Sequence, residues 1–276
     1  MNHFGKKGSK GFIYAILSIY ALITLVPFLW AISTSFKPLA EIVQGGFSII
    51  PKSFTLDNYK TVFAQEPLFP RWLMNSVLIA ASVTLLNLLL NSMAGYALAR
   101  ITFFGSKFWF FLILAVLMIP FQVTLIPSYL LLKWFSLLNT YEGLIIPGMV
   151  NATYIFMMRQ FFLGFPTEME EAAFMDGMGR WGIFFKLVMP LAKPALAAQA
   201  IFIFLGAWND FLRPLIIMSA NEMFTLPLGL STFRGEYISF TNLIMAASMM
   251  FTIPAMLLYI FFNRYFVRGI TFTGTK

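Results

Sequence analysis

The 276-residue chain contains no cysteine and a single histidine, His3. Thiol nucleophiles and disulfides are excluded, and a Cys/His zinc site has no ligand set to draw on. Charge is scarce as well. Asp, Glu, Lys and Arg make up 11% of the residues, against roughly 25% in a soluble domain. A chain this poor in charge cannot cover its own surface with polar groups, so lipid must solvate much of it. No Walker A lysine motif is present, and ATP binding of that kind is therefore not expected of this chain. Low-complexity tracts, a convincing internal repeat and the paired interrupted segments of an inverted-repeat transporter are also missing.

What the chain does have is apolar mass: 59% of its residues are hydrophobic, and 33 of them are phenylalanine. Stretches almost free of charge run over 12–33, 72–98, 108–132, 143–162, 194–218 and 238–263. Most approach the ~20 residues needed to cross a ~30 Å hydrocarbon core. The first is too long for the apolar region of a secretory signal, and no small-residue cleavage site follows it, so it reads as a retained span. Arg159 can snorkel at one end of the fourth run, and Asp210 and Arg213 sit in the last third of the fifth. Prolines 27, 120, 127, 147, 214 and 254 fall in or beside these runs and invite kinks. Small residues at 92–99, at Gly206-Ala207 and at Ala246-Ala247-Ser248 allow close helix packing. The segment 35–71 reads as a partly ordered outer loop with a short helix over 56–63.

With both termini placed in the cytoplasm, twelve of the nineteen Lys and Arg residues fall on the inner side. The seven others are spread over much longer outer segments, as the positive-inside rule requires. The same partition puts Glu168, Glu170, Glu171 and Asp176 inside, so the whole net charge of +8 belongs to the inner face. The basic excess is a topology signal, and nucleic acid is not an expected partner.

Between the fourth and fifth runs lies the most informative segment. Thr167 can cap a helix over 167–175, with Glu170 as its capping-box partner. Glu168, Glu170 and Glu171 suit the positive end of that helix. Ala172 and Ala173 favour the helix and keep its surface thin enough for a partner to approach. Gly177 and Gly179 permit a sharp turn. A second short helix over 181–188 follows, ended by Pro190 and Pro194. An acidic helix–turn–helix projecting from the membrane could enter a groove on a soluble partner, or be an ordinary amphipathic connecting loop.

Glu171-Ala172-Ala173, three residues, Gly177, nine residues, then Leu187-Val188-Met189-Pro190 resembles the EAA loop of binding-protein-dependent ABC importer permeases. Leu187 and Met189 are mild apolar departures from that pattern. Ala97-Leu98-Ala99-Arg100, Ala207-Trp208-Asn209-Asp210-Phe211-Leu212 and Tyr265-Phe266-Val267-Arg268-Gly269-Ile270 are similar to the carbohydrate branch, of maltose and oligosaccharide type. The resemblance covers nearly the whole chain. It implies an all-α membrane protein with six transmembrane helices, the type I ABC importer permease fold, and a cytoplasmic coupling helix. Residues 1–71 would carry the tail, first span and outer loop, 72–264 the permease core with its coupling loop at 164–193, and 265–276 a cytoplasmic tail. It implies coupling through Glu171, Ala172, Ala173, Gly177, Leu187 and Pro190. It implies a second homologous permease, two ATPase subunits holding ATP and Mg, and an extracytoplasmic sugar-binding protein that docks near 219–237. The expected place is a prokaryotic plasma membrane. The chain itself is expected to bind no cofactor and to be no enzyme.

Polar residues within spans are the candidates for a carbohydrate path. Asn209 and Asp210 lead, with Trp208, whose ring could stack on a sugar face; the alternative is that Asp210 merely pairs with Arg213. Asn151 and Tyr154 come next, with interhelical hydrogen bonding as their alternative, and Gln122 and Asn91 are weaker. Two motif matches fail on context. Gly177 to Gly182 fits the dinucleotide-binding glycine pattern without a preceding strand, and Asn151-Ala152-Thr153 is a glycosylation sequon inside an apolar run. The rival functions are a glycerol-phosphate importer permease, which would want more cavity cations than Arg213, and a gradient-driven transporter, which would want more intramembrane carboxylates than Asp210. An intramembrane enzyme would need paired aspartates, zinc ligands or a Ser/His pair, none of which the sequence offers.

Overall fold

Charge-free runs fold here as helices, because in hydrocarbon every backbone N–H and C=O must find its partner within the segment. The computed structural model describes residues 3–45, 48–236 and 240–272, with side-chain surroundings given for 11–45, 48–231 and 240–262. Among the described residues there are helices and no strands. They fall into two compact units, one built from 1–69 with 230–253, the other from 70–229 with 254–276.

In the first unit, α1 (His3–Ser35) contains the first expected span. The short helices α2 (Leu39–Gly45) and α3 (Asp57–Gln65) follow. The loop after α1 is more ordered than its composition implies. Asn58 donates through Nδ2 to the carbonyls of Ser35 and Lys37, both at 2.8 Å. Its Oδ1 accepts from Asn242 Nδ2 at 2.6 Å. Phe36 stacks on Phe54 with centroids 4.7 Å apart. Glu41 accepts from the backbone N–H groups of Lys52 and Ser53 at 2.8 and 3.1 Å. Those two amides, Lys52 first, hold its carboxyl below the usual value. Gly46, inside the expected outer loop, and Tyr237 and Ile238, at the edges of two expected segments, lie outside the described residues.

The second unit begins within α4 (Phe69–Arg100), whose length covers the second expected span. The third run is not one helix. α5 (Ser106–Leu117) and α6 (Phe121–Trp134) meet at a bend of 105°, where Pro120 lacks the N–H that would continue the ladder. The fourth run is broken as well. α7 (Tyr141–Ile145) passes into a 3₁₀ turn at Ile146–Gly148, and α8 (Ala152–Leu163) starts afresh on Asn151, whose side chain accepts from the Thr153 N–H. The sequon asparagine is thus a helix cap.

The segment that follows contains α9 (Thr167–Met175) and α10 (Arg180–Gly182), a π-helical turn Ile183–Val188, and α11 (Met189–Leu191). α12 (Lys193–Trp208) leaves at 77° to that arm. α13 (Leu212–Ile217), α14 (Leu226–Glu236) and α15 (Thr241–Phe272) follow. Among the described residues, three helices are long and apolar enough to cross a membrane, or up to five spans if each bent pair counts as one. Of the six expected runs, the fourth does not appear among these, because its helix is interrupted at Pro147 and Asn151.

Among the described residues of this unit, two apolar cores stand out. One gathers Ile79, Val83, Leu132, Leu144, Ile203, Ile217, Met218 and Leu228. The other gathers Tyr96, Met158, Phe162, Ala173, Ile183, Phe184, Val188 and Ala192. Close packing of α4 on α8 depends on Gly95: a Cβ there would stand 2.7 Å from the Cβ of Met158 and 2.9 Å from the Arg159 backbone nitrogen. The small-residue run over 92–99 is therefore a helix crossing.

Candidate functional site

The elbow at 164–193 has the two-armed form expected of it, with its internal bonds placed differently. Pro166, not Thr167, occupies the cap position of α9, and no side-chain cap bond forms. The capping box between Thr167 and Glu170 is accordingly absent. Glu170 is engaged elsewhere: its Oε1 lies 3.1 Å from Arg100 Nε, and its Oε2 accepts from the Tyr96 hydroxyl at 3.0 Å. Arg100 also donates from Nη2 to the Phe165 carbonyl just ahead of α9. The ion pair is largely buried, with side chains 10% and 17% exposed.

Ala173 does not thin an outer surface as expected, because it is 4% exposed and packs inside the chain's own core. Glu171 and Ala172 do face outward. A helical residue is followed 100° round the axis by the next, so one glutamate can face in while its neighbour faces out. α9 ends in a Schellman motif. Gly177 sits at φ +83°, its N–H bonds to the Phe174 carbonyl at 3.0 Å, and the Met178 N–H reaches the Ala173 carbonyl at 3.0 Å. Gly179 has φ −72° and ψ 165°, an extended conformation open to any residue, so the turn depends on one glycine and not two. Leu187 is half-buried against the second core and Pro190 opens α11 on the surface. The exposed face of this elbow carries Glu171, Phe174, Met175 and Trp181.

A second feature is a polar cavity of about 160 Å³ walled by α4, the turn before α8, and α12 with its exit. Val83, Asn87, Gly148, Asn151, Tyr154, Gly206, Asp210 and Arg213 line it. Asp210 and Arg213 face one another at 3.7 Å, and the guanidinium also lies 4.8 Å from the centre of the Phe121 ring. Asn87 donates to the Gly148 carbonyl at 2.5 Å and accepts from Asn91 at 2.9 Å; Asn91 in turn accepts from the Asn151 N–H at 3.1 Å. Three of the five expected path residues, Asn151, Tyr154 and Asp210, are therefore together here. Trp208 and Asn209 are not. Trp208 is 1% exposed and stacked on Phe204, so its ring has no open face for a sugar. Asn209 turns its amide back to the Leu205 carbonyl at 2.8 Å.

Residues 91–272 match the family described as binding-protein-dependent transport system inner membrane component. The chain belongs to this family. It is 42% identical, over 93% of its length and 92% of the relative's, to the arabinooligosaccharides transport system permease protein AraQ of Halalkalibacterium halodurans. It is 33% identical to the lactose transport system permease protein LacG of Rhizobium radiobacter, with 93% of each chain covered. The crystal structure of a bacterial ABC transporter involved in the import of the acidic polysaccharide alginate superposes with a TM-score of 0.85 at 26% identity. That alignment covers 95% of this chain and 98% of the other.

This permease is thus an inner-membrane subunit of an ABC importer with the type I permease fold, and the family is one of transport proteins. The sequence left three features of the cavity and the elbow unseen. Asn87 belongs to the cavity, and its signal was the i, i+4 pair of asparagines in an otherwise apolar span. The tie from Tyr96 and Arg100 to Glu170 had a weaker signal, an arginine and an i−4 tyrosine closing one span opposite an acidic helix. Gly148 gives the cavity a backbone carbonyl that no side-chain pattern announces.

Proposed function

We propose that this permease forms half of the path of a carbohydrate importer, that an oligosaccharide is its cargo, and that ATPase subunits drive it through the elbow at 164–193. The observation that carries the reading is the elbow itself: an outward glutamate, Glu171, beside a glycine-dependent Schellman turn, on a segment that matches the EAA spacing. Glu171 and Ala172 present the docking face, Gly177 sets the angle between the arms, and Leu187 and Pro190 seat the second arm. A second homologous permease, two ATPase subunits and an external sugar-binding protein complete the assembly. Both termini lie in the cytoplasm, by the distribution of Lys and Arg.

Relatives named for arabinooligosaccharides and lactose support a carbohydrate cargo, and so does a cavity lined by the amides of Asn87 and Asn151, the Tyr154 ring and one neutralised ion pair. Neutral polyols are held by such hydrogen bonds, whereas a phosphate would want an uncompensated cation. Arg213 is already compensated by Asp210, which weighs against a glycerol-phosphate cargo. The test is uptake in proteoliposomes holding this permease with its partner permease, ATPases and binding protein. Accumulation of an oligosaccharide should persist with a protonophore present and stop when the ATPase is omitted. Accumulation that follows an ion gradient without ATP would overturn the proposal.

A further inference from the structure

The partition of the two adjacent glutamates separates two jobs. Glu171 faces away from the chain, while Glu170 gives both carboxylate oxygens to α4, one to Arg100 and one to Tyr96. Tyr96 and Arg100 are four residues apart and share one face of that helix. Arg100 adds a second hold through the Phe165 carbonyl, in the turn just ahead of α9. The near end of α9 is thereby fastened to α4 at two points, through an arginine that offers a fork of donors where a lysine offers a single charge.

α4 runs on from this fastening to the cavity. Asn91, Asn87 and Val83 lie on the same helix, and Asn87 and Val83 line the cavity wall. From Tyr96 to Asn87 is nine residues, roughly 14 Å along a helix. Asn87 and Asn91 are bonded to Gly148 and Asn151 on the opposite wall. One rigid helix therefore joins the base of the elbow to the cavity lining.

We propose that the Arg100–Glu170 pair, with the Tyr96 hydroxyl, is the hitch through which movement of α9 displaces α4, and that Arg100 and Glu170 are positioning residues for coupling. This rests on the reading of the elbow as the ATPase contact. Glu171 receives the motor's push; Glu170 hands it to the span that lines the path. If the hitch served only to hold the fold, its loss would lower protein yield or thermal stability and leave the ratio of sugar moved to ATP spent unchanged in whatever protein remains.

The decisive measurement is that ratio in proteoliposomes containing the full complex, for Arg100→Gln, Glu170→Gln, Arg100→Lys and the charge-swapped R100E/E170R. Networks of this kind shift coupling by about 2- to 30-fold. Both glutamine variants should retain the ATPase on affinity purification and lose about tenfold in sugar accumulated per ATP hydrolysed. Arg100→Lys, which cannot reach Glu170 and the Phe165 carbonyl together, should fall between. The swapped pair should recover part of the loss, which also answers the case of single variants that fail to insert. An unchanged ratio in the glutamine variants, release of the ATPase from them, or no recovery in the swap would each overturn the hitch. Failure of the unmodified complex to bind an ATPase would overturn the elbow reading instead, so the two results are distinguishable.

Discussion

Glu170 and Glu171 differ by one position and face different worlds, and the difference predicts their variants. Glu171→Lys puts a cation where a docking partner would meet an anion, and like charges opposed across an interface cost several kcal/mol. The expected outcome is normal membrane insertion with loss of substrate-stimulated ATP hydrolysis and uptake; wild-type values in vesicles would remove Glu171 from the docking face. A second residue carries a pH dependence. Glu41 accepts the N–H groups of Lys52 and Ser53, and its carboxyl is held below the ordinary value of 4.5. A lowered folded value means that the carboxylate's contribution is complete above 4.5 and is lost as pH falls through the folded value. Amides 52 and 53 should therefore lose hydrogen-exchange protection in acid, after correction for intrinsic rates, and Glu41→Gln should flatten that loss. At this scale the sequence exposed chemistry better than contacts. It marked Asp210, Asn151 and Tyr154 as polar groups in apolar runs, which is where they line a cavity. It offered Trp208 as a ring to stack on a sugar, yet that ring is 1% exposed and stacks on Phe204 instead.

Among the elements, α9 and its turn were legible because helix ends are written in local residue types. The start of α9 at Thr167, its end at Met175 and the positive φ at Gly177 all follow from nearby proline and glycine. The cap was misassigned for a tertiary reason: Glu170 gains more from a buried arginine and tyrosine than from a backbone N–H near the surface. Bends were legible as prolines but not as angles, since the 105° between α5 and α6 depends on what packs against each half. The two glycines of the elbow now separate. Gly177→Val forces a β-branched residue to φ +83°, where a left-handed backbone costs roughly 1–2 kcal/mol. Gly179→Ala meets open space and an ordinary extended φ. Thermal unfolding of the purified permease should register the first and not the second, and uptake should follow the same order. Equal tolerance of both would mean that the elbow angle is set by packing alone.

For the whole molecule, the strongest quantity is the placement of charge. Every unit of the net +8 falls on the side given to the termini and the elbow, while seven cations and seven anions share the other. A membrane protein inserted the other way round would carry its basic clusters across the bilayer, which the positive-inside rule opposes. The family match assigns an inner-membrane importer subunit, and it makes the side on which the elbow lies a mechanical matter, because ATP is available only in the cytoplasm. The absence of cysteine turns this into a direct experiment, since any thiol introduced is the only one in the chain. Met175 is 88% exposed on the elbow and Ile50 is 78% exposed on the loop assigned to the outside, so both will accept cysteine with little loss of packing. In intact cells a membrane-impermeant maleimide should label Ile50→Cys and spare Met175→Cys, and permeabilised cells should label both. Co-expression of the ATPase should then protect Met175→Cys alone, because a docked subunit covers the elbow and not the outer loop. Labelling of Met175→Cys from outside intact cells would reverse the topology, and with it the only geometry in which an ATPase can reach Glu171.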